Sequence, residues 1–374
     1  MTSAGRHLVV IGGGVIGLSC AFEAACAGWD VAVVDPQPGR GAGWVAAGML
    51  APTAEAHFGE EALTRLLVTG AGVWPKFAAD LELAIGGTVG FELTGSLLAA
   101  KDAGDRSDLI RTLEFQRSLG LNVEELRPAA LRSLEPNLSP TLAAGALLPN
   151  DHQVSNRLLL AGLVRACIES GVSFVHEEAT ALGWSGSMAT VQLGSGDSMT
   201  SESLLLAMGA RTGLVESTLG PLPIVRPVKG HILRLRGTEP LLERTVRATV
   251  RGRNVYLVPR RDGELVVGAT VEERGFDERV QAGQVFALLD DARRVLPGVD
   301  ELELVESACG LRPATSTNAP VIGRLDDGPV LIATGHYRNG ILLAPLTAQI
   351  IASELEGRRH PAADLVAAAE IPAR

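Results

Sequence analysis

The sequence predicts a two-domain chain of mixed α/β and α+β architecture, in which a discontinuous domain built on a parallel sheet carries an inserted antiparallel-sheet domain. Three observations carry this prediction. Residues 8–35 read as strand, glycine turn, helix and strand; residues 221–310 read as strands alternating with charged turns; and residues 330–335 and 343–356 read as a buried strand and an apolar-faced helix that return to the first domain.

The opening unit is the most informative. Leu8-Val9-Val10-Ile11 is a short apolar run, and Gly12, Gly14 and Gly17 then fill a G-x-G-x-x-G pattern at the start of a helix. Gly12 permits the tight turn, Gly14 lets the backbone approach a pyrophosphate, and Gly17 lets helix and sheet pack closely. Val15 and Ile16 open the helix, whose free N–H groups suit a diphosphate. The second strand ends at Asp35, followed by Pro36, where an acid accepts hydrogen bonds from ribose hydroxyls and disfavours a 2′-phosphate. A glycine pattern alone is weak and also occurs in ordinary α/β cores. Strand, turn, helix, strand and acid in one register point to a Rossmann-like dinucleotide site.

Whole-chain properties exclude several function classes. At 374 residues the chain can bury two cores, and a net charge of −10 without a Lys/Arg cluster argues against a nucleic-acid partner. Cys20, Cys26, Cys167 and Cys309 lack metal-ligand spacing and read as reduced thiols in a cytoplasmic protein, with no metal site expected. No apolar stretch reaches the length of a membrane span. The three glycines at 12–14 interrupt the apolar run near the N-terminus, so a cleaved signal peptide is not expected.

Further along, residues 39–49 are small and apolar, including Ala42, Gly43, Ala47, Gly48 and Met49, and such a backbone can lie against a flat cofactor. Helical periodicity covers residues 62–83, 105–120 and 156–170; strand-like sequence covers 91–100, 145–149, 172–176 and 204–209; Pro128, Pro136 and Pro140 mark turns. Gly209, closing a buried strand, offers a second backbone approach to the nucleotide. The expected division assigns 1–88, 141–222 and 309–374 to the nucleotide domain, and 89–140 and 223–308 to the substrate domain.

Several segments carry more specific information: Ala46-Ala47-Gly48-Met49-Leu50, Pro227-Val228-Lys229-Gly230, Tyr256-Leu257-Val258-Pro259-Arg260, Gly310-Leu311-Arg312-Pro313, and the run from Gly335 through His336-Tyr337-Arg338-Asn339-Gly340-Ile341-Leu342 to Pro345. With these the chain resembles, nearly end to end, the D-amino-acid-oxidase-like FAD-dependent oxidoreductases, and within them the thiamine-pathway glycine oxidases. The resemblance implies noncovalent FAD. It also implies oxidation of glycine or another small amino acid (sarcosine, D-alanine) by O2 to imine or 2-oxo acid, ammonia and H2O2, a supply of glycine imine for thiazole synthesis, and a homotetramer.

The same resemblance implies residue roles. Arg312 would take the substrate carboxylate, with Tyr256 meeting the same group. Arg338 would lie near substrate and flavin, and Met49 would line the site. Thr180 would make an adenine-side backbone contact, and His336 would support the site without moving a proton. The amides of Asn339, Gly340, Ile341 and Leu342 would begin a helix aimed at the flavin, and an arginine beside a helix start is unfavourable unless an anion sits there. Cys309 stands one residue out of register with the flavin-tethering cysteine of sarcosine-oxidase relatives. Asn254 and Val271 replace a histidine and a methionine of the glycine-oxidase pattern on the substrate side, which leaves the preferred amine open. A dehydrogenase with another electron acceptor, and a flavin binder without turnover, are the alternatives.

Overall fold

The computed structural model describes residues 6–185, 188–218, 222–325 and 328–370. The outermost residues of the expected nucleotide domain, 1–5 and 371–374, and Pro221 at the start of the expected strand region, lie outside these.

Leu8, Val9, Val10 and Ile11 are all buried, which marks His7–Ile11 as a strand covered on both faces. It pairs in parallel with Asp30–Val34 on one side and Ser203–Leu206 on the other. Ser173–Val175 and Val330–Thr334 extend the parallel sheet outward, and Val321–Arg324 closes one edge antiparallel, giving six strands. Alternate side chains serve two cores. Leu8 and Val10 pack among the helices Val15–Cys26, Glu61–Ile85, Asn156–Glu169 and Gly340–Leu355. Val9 and Ile11 pack against a small four-stranded sheet that includes Ala179–Ser185 and Met188–Leu193.

The second sheet has eight strands, ordered Glu303–Ala314, Arg226–Arg236, Glu264–Gly268, Arg253–Pro259, Thr245–Val250, Ser96–Ala100, Ala144–Leu148 and Glu124–Leu126. It is mixed rather than wholly antiparallel. Thr245–Val250 runs parallel to Ser96–Ala100, because the sheet is assembled from two separate chain segments that meet at that seam.

Four further expectations are corrected. The boundary at 141 falls too early, since Ala144–Leu148 is hydrogen-bonded along its length to Ser96–Ala100. The boundary at 309 cuts a strand in two, because residues through Ala314 stay paired to Arg226–Arg236. The region read as strands and turns also contains a helix, Ala282–Val295, whose apolar face (Leu288, Ala292, Val295) covers the sheet core. Its acid pair Asp290-Asp291 and Arg293-Arg294 dilute the periodicity in sequence. Pro128, read as a turn, opens the seven-residue helix Pro128–Leu134 at a position where its missing N–H costs nothing.

Candidate active site

Between the two sheets lies a cavity of about 1210 Å³, lined by the C-terminal ends of parallel strands on one side and by the eight-stranded sheet on the other. Gly12, Gly14, Val15, Ile16, Asp35, Pro36, Ala42, Gly43, Ala47, Gly48 and Met49 line it, as do Thr180, Gly209, Tyr256, Arg312 and the stretch His336–Ile341. Leu342, expected among them, is instead buried within the last long helix, where its carbonyl accepts the Trp74 indole N–H at 2.8 Å. A helical turn carries successive side chains to different faces, so not every residue of the segment can meet the cavity.

The glycine turn is sterically compulsory. Gly12 has φ +103°, and a Cβ there would lie 2.5 Å from the Ala207 carbonyl oxygen; one at Gly17 would lie 1.8 Å from the Gly12 oxygen. Gly14 has nothing within 4 Å of its would-be Cβ, and no side chain caps the helix behind it. Open space therefore faces free first-turn N–H groups, an arrangement that accepts phosphate. The Asp35 carboxylate is fixed by the amides of Gly13 and Gln37, both donating at 2.7 Å. Each oxygen keeps a lone pair for a ribose hydroxyl.

The small-residue segment is tied down from outside the site. Asn156 Nδ2 donates to the carbonyls of Gly43 (2.9 Å) and Trp44 (2.8 Å), and Arg260 Nη2 donates to that of Ala47 (2.5 Å). A Cβ on Gly48, at φ +79°, would lie 2.0 Å from the Val154 oxygen. Thr180 lines the cavity and donates its hydroxyl to the Gln192 carbonyl at 3.3 Å.

At the opposite end Arg312 Nη1 donates to the Thr270 carbonyl at 3.1 Å, and the guanidinium lies over Gly230, where a Cβ would sit 2.2 Å from Nη1. Tyr256 crosses Gly268 in the same way, with a would-be Cβ 2.3 Å from its hydroxyl oxygen. Burial raises the Tyr256 pKa, against the opposing cations of Arg312 and Arg247, so the phenol keeps its proton. Met49 packs with Ala47, Tyr256 and Ile232.

A charge cluster that sequence reasoning missed completes this wall. Glu55 is bound to Arg247 Nη1 at 2.6 Å and to Arg338 Nη2 at 3.0 Å, and Arg338 also meets His57 Nε2 at 2.7 Å. Burial alone would raise the Glu55 carboxyl, but the Arg247 and Arg338 guanidiniums outweigh it and hold it well below the usual carboxylate range. Asp151, pushed up to about 6 by burial, accepts the amides of Thr53 (2.9 Å) and Ala54 (2.8 Å) and so presents Glu55. An acid inside an otherwise apolar stretch, Ala54-Glu55-Ala56, was the available signal.

Arg338 follows Tyr337, at φ +47°, whose amide donates to the Pro313 carbonyl at 2.7 Å. Asn339 then begins Gly340–Leu355 without a side-chain cap or an acid in the first turn, leaving that helix start electropositive. His336 is buried, shares 3.0 Å with the Thr347 hydroxyl, and is pushed down to about 3, so it stays neutral. Val271 is 60% exposed at the cavity wall, and Asn254 is exposed and bonded to Thr249. The Cys309 thiol donates to the Glu278 carbonyl at 2.6 Å, and burial raises its pKa. Among the described residues, no group of three His, Cys, Asp or Glu side chains could hold a metal ion, and no helix is long and apolar enough to cross a membrane.

A family model described as FAD dependent oxidoreductase (DAO) matches residues 7–354. The chain belongs to this family. Its members' cofactor is FAD, and the open helix start at Gly14, the fixed Asp35 carboxylate and the cavity running to Arg312 fit that group. The chain is 34% identical to the glycine oxidase of Geobacillus kaustophilus over 362 residues, covering 96% of this chain and 94% of that protein. It is also 34% identical to the bifunctional protein ThiO/ThiG of Trichormus variabilis, with 93% of this chain aligned but spanning about half (52%) of that longer protein. A crystal structure of glycine oxidase from Geobacillus kaustophilus superposes with a TM-score of 0.89 at 31% identity, covering 96% of this chain and 98% of that one.

Proposed function

We propose that this chain is an FAD-dependent oxidase of small amino acids, with glycine, sarcosine and D-alanine as the candidate substrates. The observation that carries the reading is the pairing of Arg312 with Tyr256 on the sheet wall of a cavity whose other end is built for a dinucleotide. A flavin binder without turnover needs neither residue there. The relatives named glycine oxidase support the same reading.

When bound, FAD supplies the two-electron acceptor for the substrate Cα–H. The chain's own residues bind and orient. Arg312 takes both carboxylate oxygens with its planar fork, and the protonated Tyr256 hydroxyl donates to one of them. Arg338 and the first-turn amides of Gly340 and Ile341 supply positive potential, which favours an anionic bound group, while the Asn339 amide is held by the His336 carbonyl at 2.8 Å. Met49 limits the space beside the Cα, and neutral His336 supports the loop without exchanging a proton. Overall, amino acid and O2 give imino acid and H2O2, and water then converts the imino acid to 2-oxo acid and ammonia.

In this proposal the six-stranded sheet and its helices hold the cofactor and the eight-stranded sheet holds the substrate. A cytoplasmic homotetramer supplying glycine imine for thiazole synthesis is its physiological extension. The test is anaerobic mixing of the FAD-loaded protein with glycine, sarcosine, D-alanine, D-proline and bulky D-amino acids, followed by admission of air. Flavin bleaching by a small amino acid and prompt reoxidation with H2O2 supports the reading; no bleaching by any of them refutes it. Bleaching with slow reoxidation would favour another electron acceptor.

A further inference from the structure

Thr270, whose carbonyl anchors Arg312, is the hub of a polar cluster outside the roles assigned above. It lies two residues beyond the end of Glu264–Gly268 and two before Glu272, whose backbone exchanges hydrogen bonds with Lys229 at 2.9 and 3.0 Å, and its neighbour Val271 is 60% exposed. Between the strand end and that bridge its own hydroxyl ties it to His231 and Glu272. The Thr270 hydroxyl accepts the His231 amide at 2.9 Å, lies 2.9 Å from His231 Nδ1, and donates to Glu272 Oε1 at 2.8 Å.

His231 is fully buried on Arg226–Arg236, and its ring has a defined tautomer. The Gln281 amide donates to Nε2 at 3.2 Å, so Nε2 is the acceptor and Nδ1 carries the proton. That proton faces the Thr270 hydroxyl and, at 3.0 Å, Glu272 Oε1. The residue before it, Gly230, is the one over which the Arg312 guanidinium lies. One short stretch of strand thus makes room for the arginine at Gly230 and fixes its anchor at His231.

We propose that His231 is a positioning residue: through Thr270 it sets the orientation in which Arg312 meets a substrate carboxylate, which rests on the role of Arg312 proposed above. Losing the Nδ1–H donor leaves the Thr270 hydroxyl with the His231 backbone amide and Glu272 as its partners, which loosens its carbonyl and with it the anchor that aims the Arg312 fork. Displacements of this kind cost about 10- to 100-fold in carboxylate recognition.

The test compares FAD-loaded wild type with His231→Leu, His231→Asn and Thr270→Val. Acetate is titrated against the flavin spectrum, and KM and kcat are measured for the best substrate of the panel. His231→Leu should weaken acetate and raise KM about 10- to 100-fold, with smaller changes in kcat and with FAD retention and aerobic reoxidation unchanged. His231→Asn presents an amide N–H near the place of Nδ1 and should restore most of the affinity, which a loss of packing alone would not allow. Thr270→Val should reproduce the leucine phenotype, and it decides the matter if His231→Leu does not fold. Unchanged acetate affinity in FAD-replete His231→Leu or Thr270→Val, or a loss that asparagine does not recover, overturns the role. A wild type that binds acetate but oxidises no amino acid refutes the proposed function, while the acetate series still decides the role of His231.

Discussion

Replacing Arg312 with alanine separates a substrate clamp from a structural arginine. Its guanidinium donates to the Thr270 carbonyl and meets the Tyr256 hydroxyl, and among the described residues no carboxylate pairs with it, so its charge is available to a ligand. Its removal leaves Gly230 uncovered but strands no buried carboxylate, because no ion pair to Arg312 exists among the described residues. Folding and FAD content should therefore survive. A charge-assisted, partly desolvated pair contributes about 2 to 5 kcal/mol, so amino-acid binding should weaken about 30- to several-thousand-fold. Arg312→Lys should recover only part, since a point charge cannot reproduce the fork. The assay is anaerobic half-reaction kinetics at matched FAD occupancy, with a carboxylate-free amine as control. Unchanged amino-acid affinity in Arg312→Ala, or an equal loss for the control amine, would show that the clamp is not there.

Asp35→Ala should weaken FAD retention by removing both the ribose acceptor and the group that holds the amides of Gly13 and Gln37, without altering substrate ranking in the reconstituted protein; equilibrium dialysis and the substrate panel measure both. FAD should leave the chain on acid or heat denaturation, because the Cys309 thiol is bound to the Glu278 carbonyl; yellow colour retained by the precipitate would contradict this. Glu55→Gln leaves Arg247 and Arg338 uncompensated and should destabilise the fold by about 3 kcal/mol near neutral pH, read from thermal unfolding. The folded state holds Glu55 well below the ordinary value of 4.5, so its ionised form stabilises above that value and the contribution is lost as pH falls through the lower folded value. The gap between wild type and variant should accordingly close in acid, and a gap that stays constant there would exclude Glu55 as its source.

The sequence by itself determined the nucleotide half of this protein, because local rules specify it. Gly12, Gly14, Gly17 and Asp35 sit at fixed offsets within one strand–helix–strand unit, where Gly17 meets the Gly12 oxygen and Asp35 the amides of Gly13 and Gln37, although the carbonyl that crowds Gly12 comes from distant Ala207. Arg312, Tyr256 and Arg338 were legible only through resemblance, since their roles depend on strands brought together from distant segments. Tertiary structure alone decided the rest. Glu55 meets Arg247 across 192 residues, and Asn156 reaches back 113 residues to hold the backbone of Gly43; neither pairing leaves a periodic trace. The sheet boundary went the same way. Ala144–Leu148 looks like any apolar strand, and only its ladder with Ser96–Ala100 assigns it to the eight-stranded sheet, because strand pairing is a long-range choice that a strand's own residues do not encode.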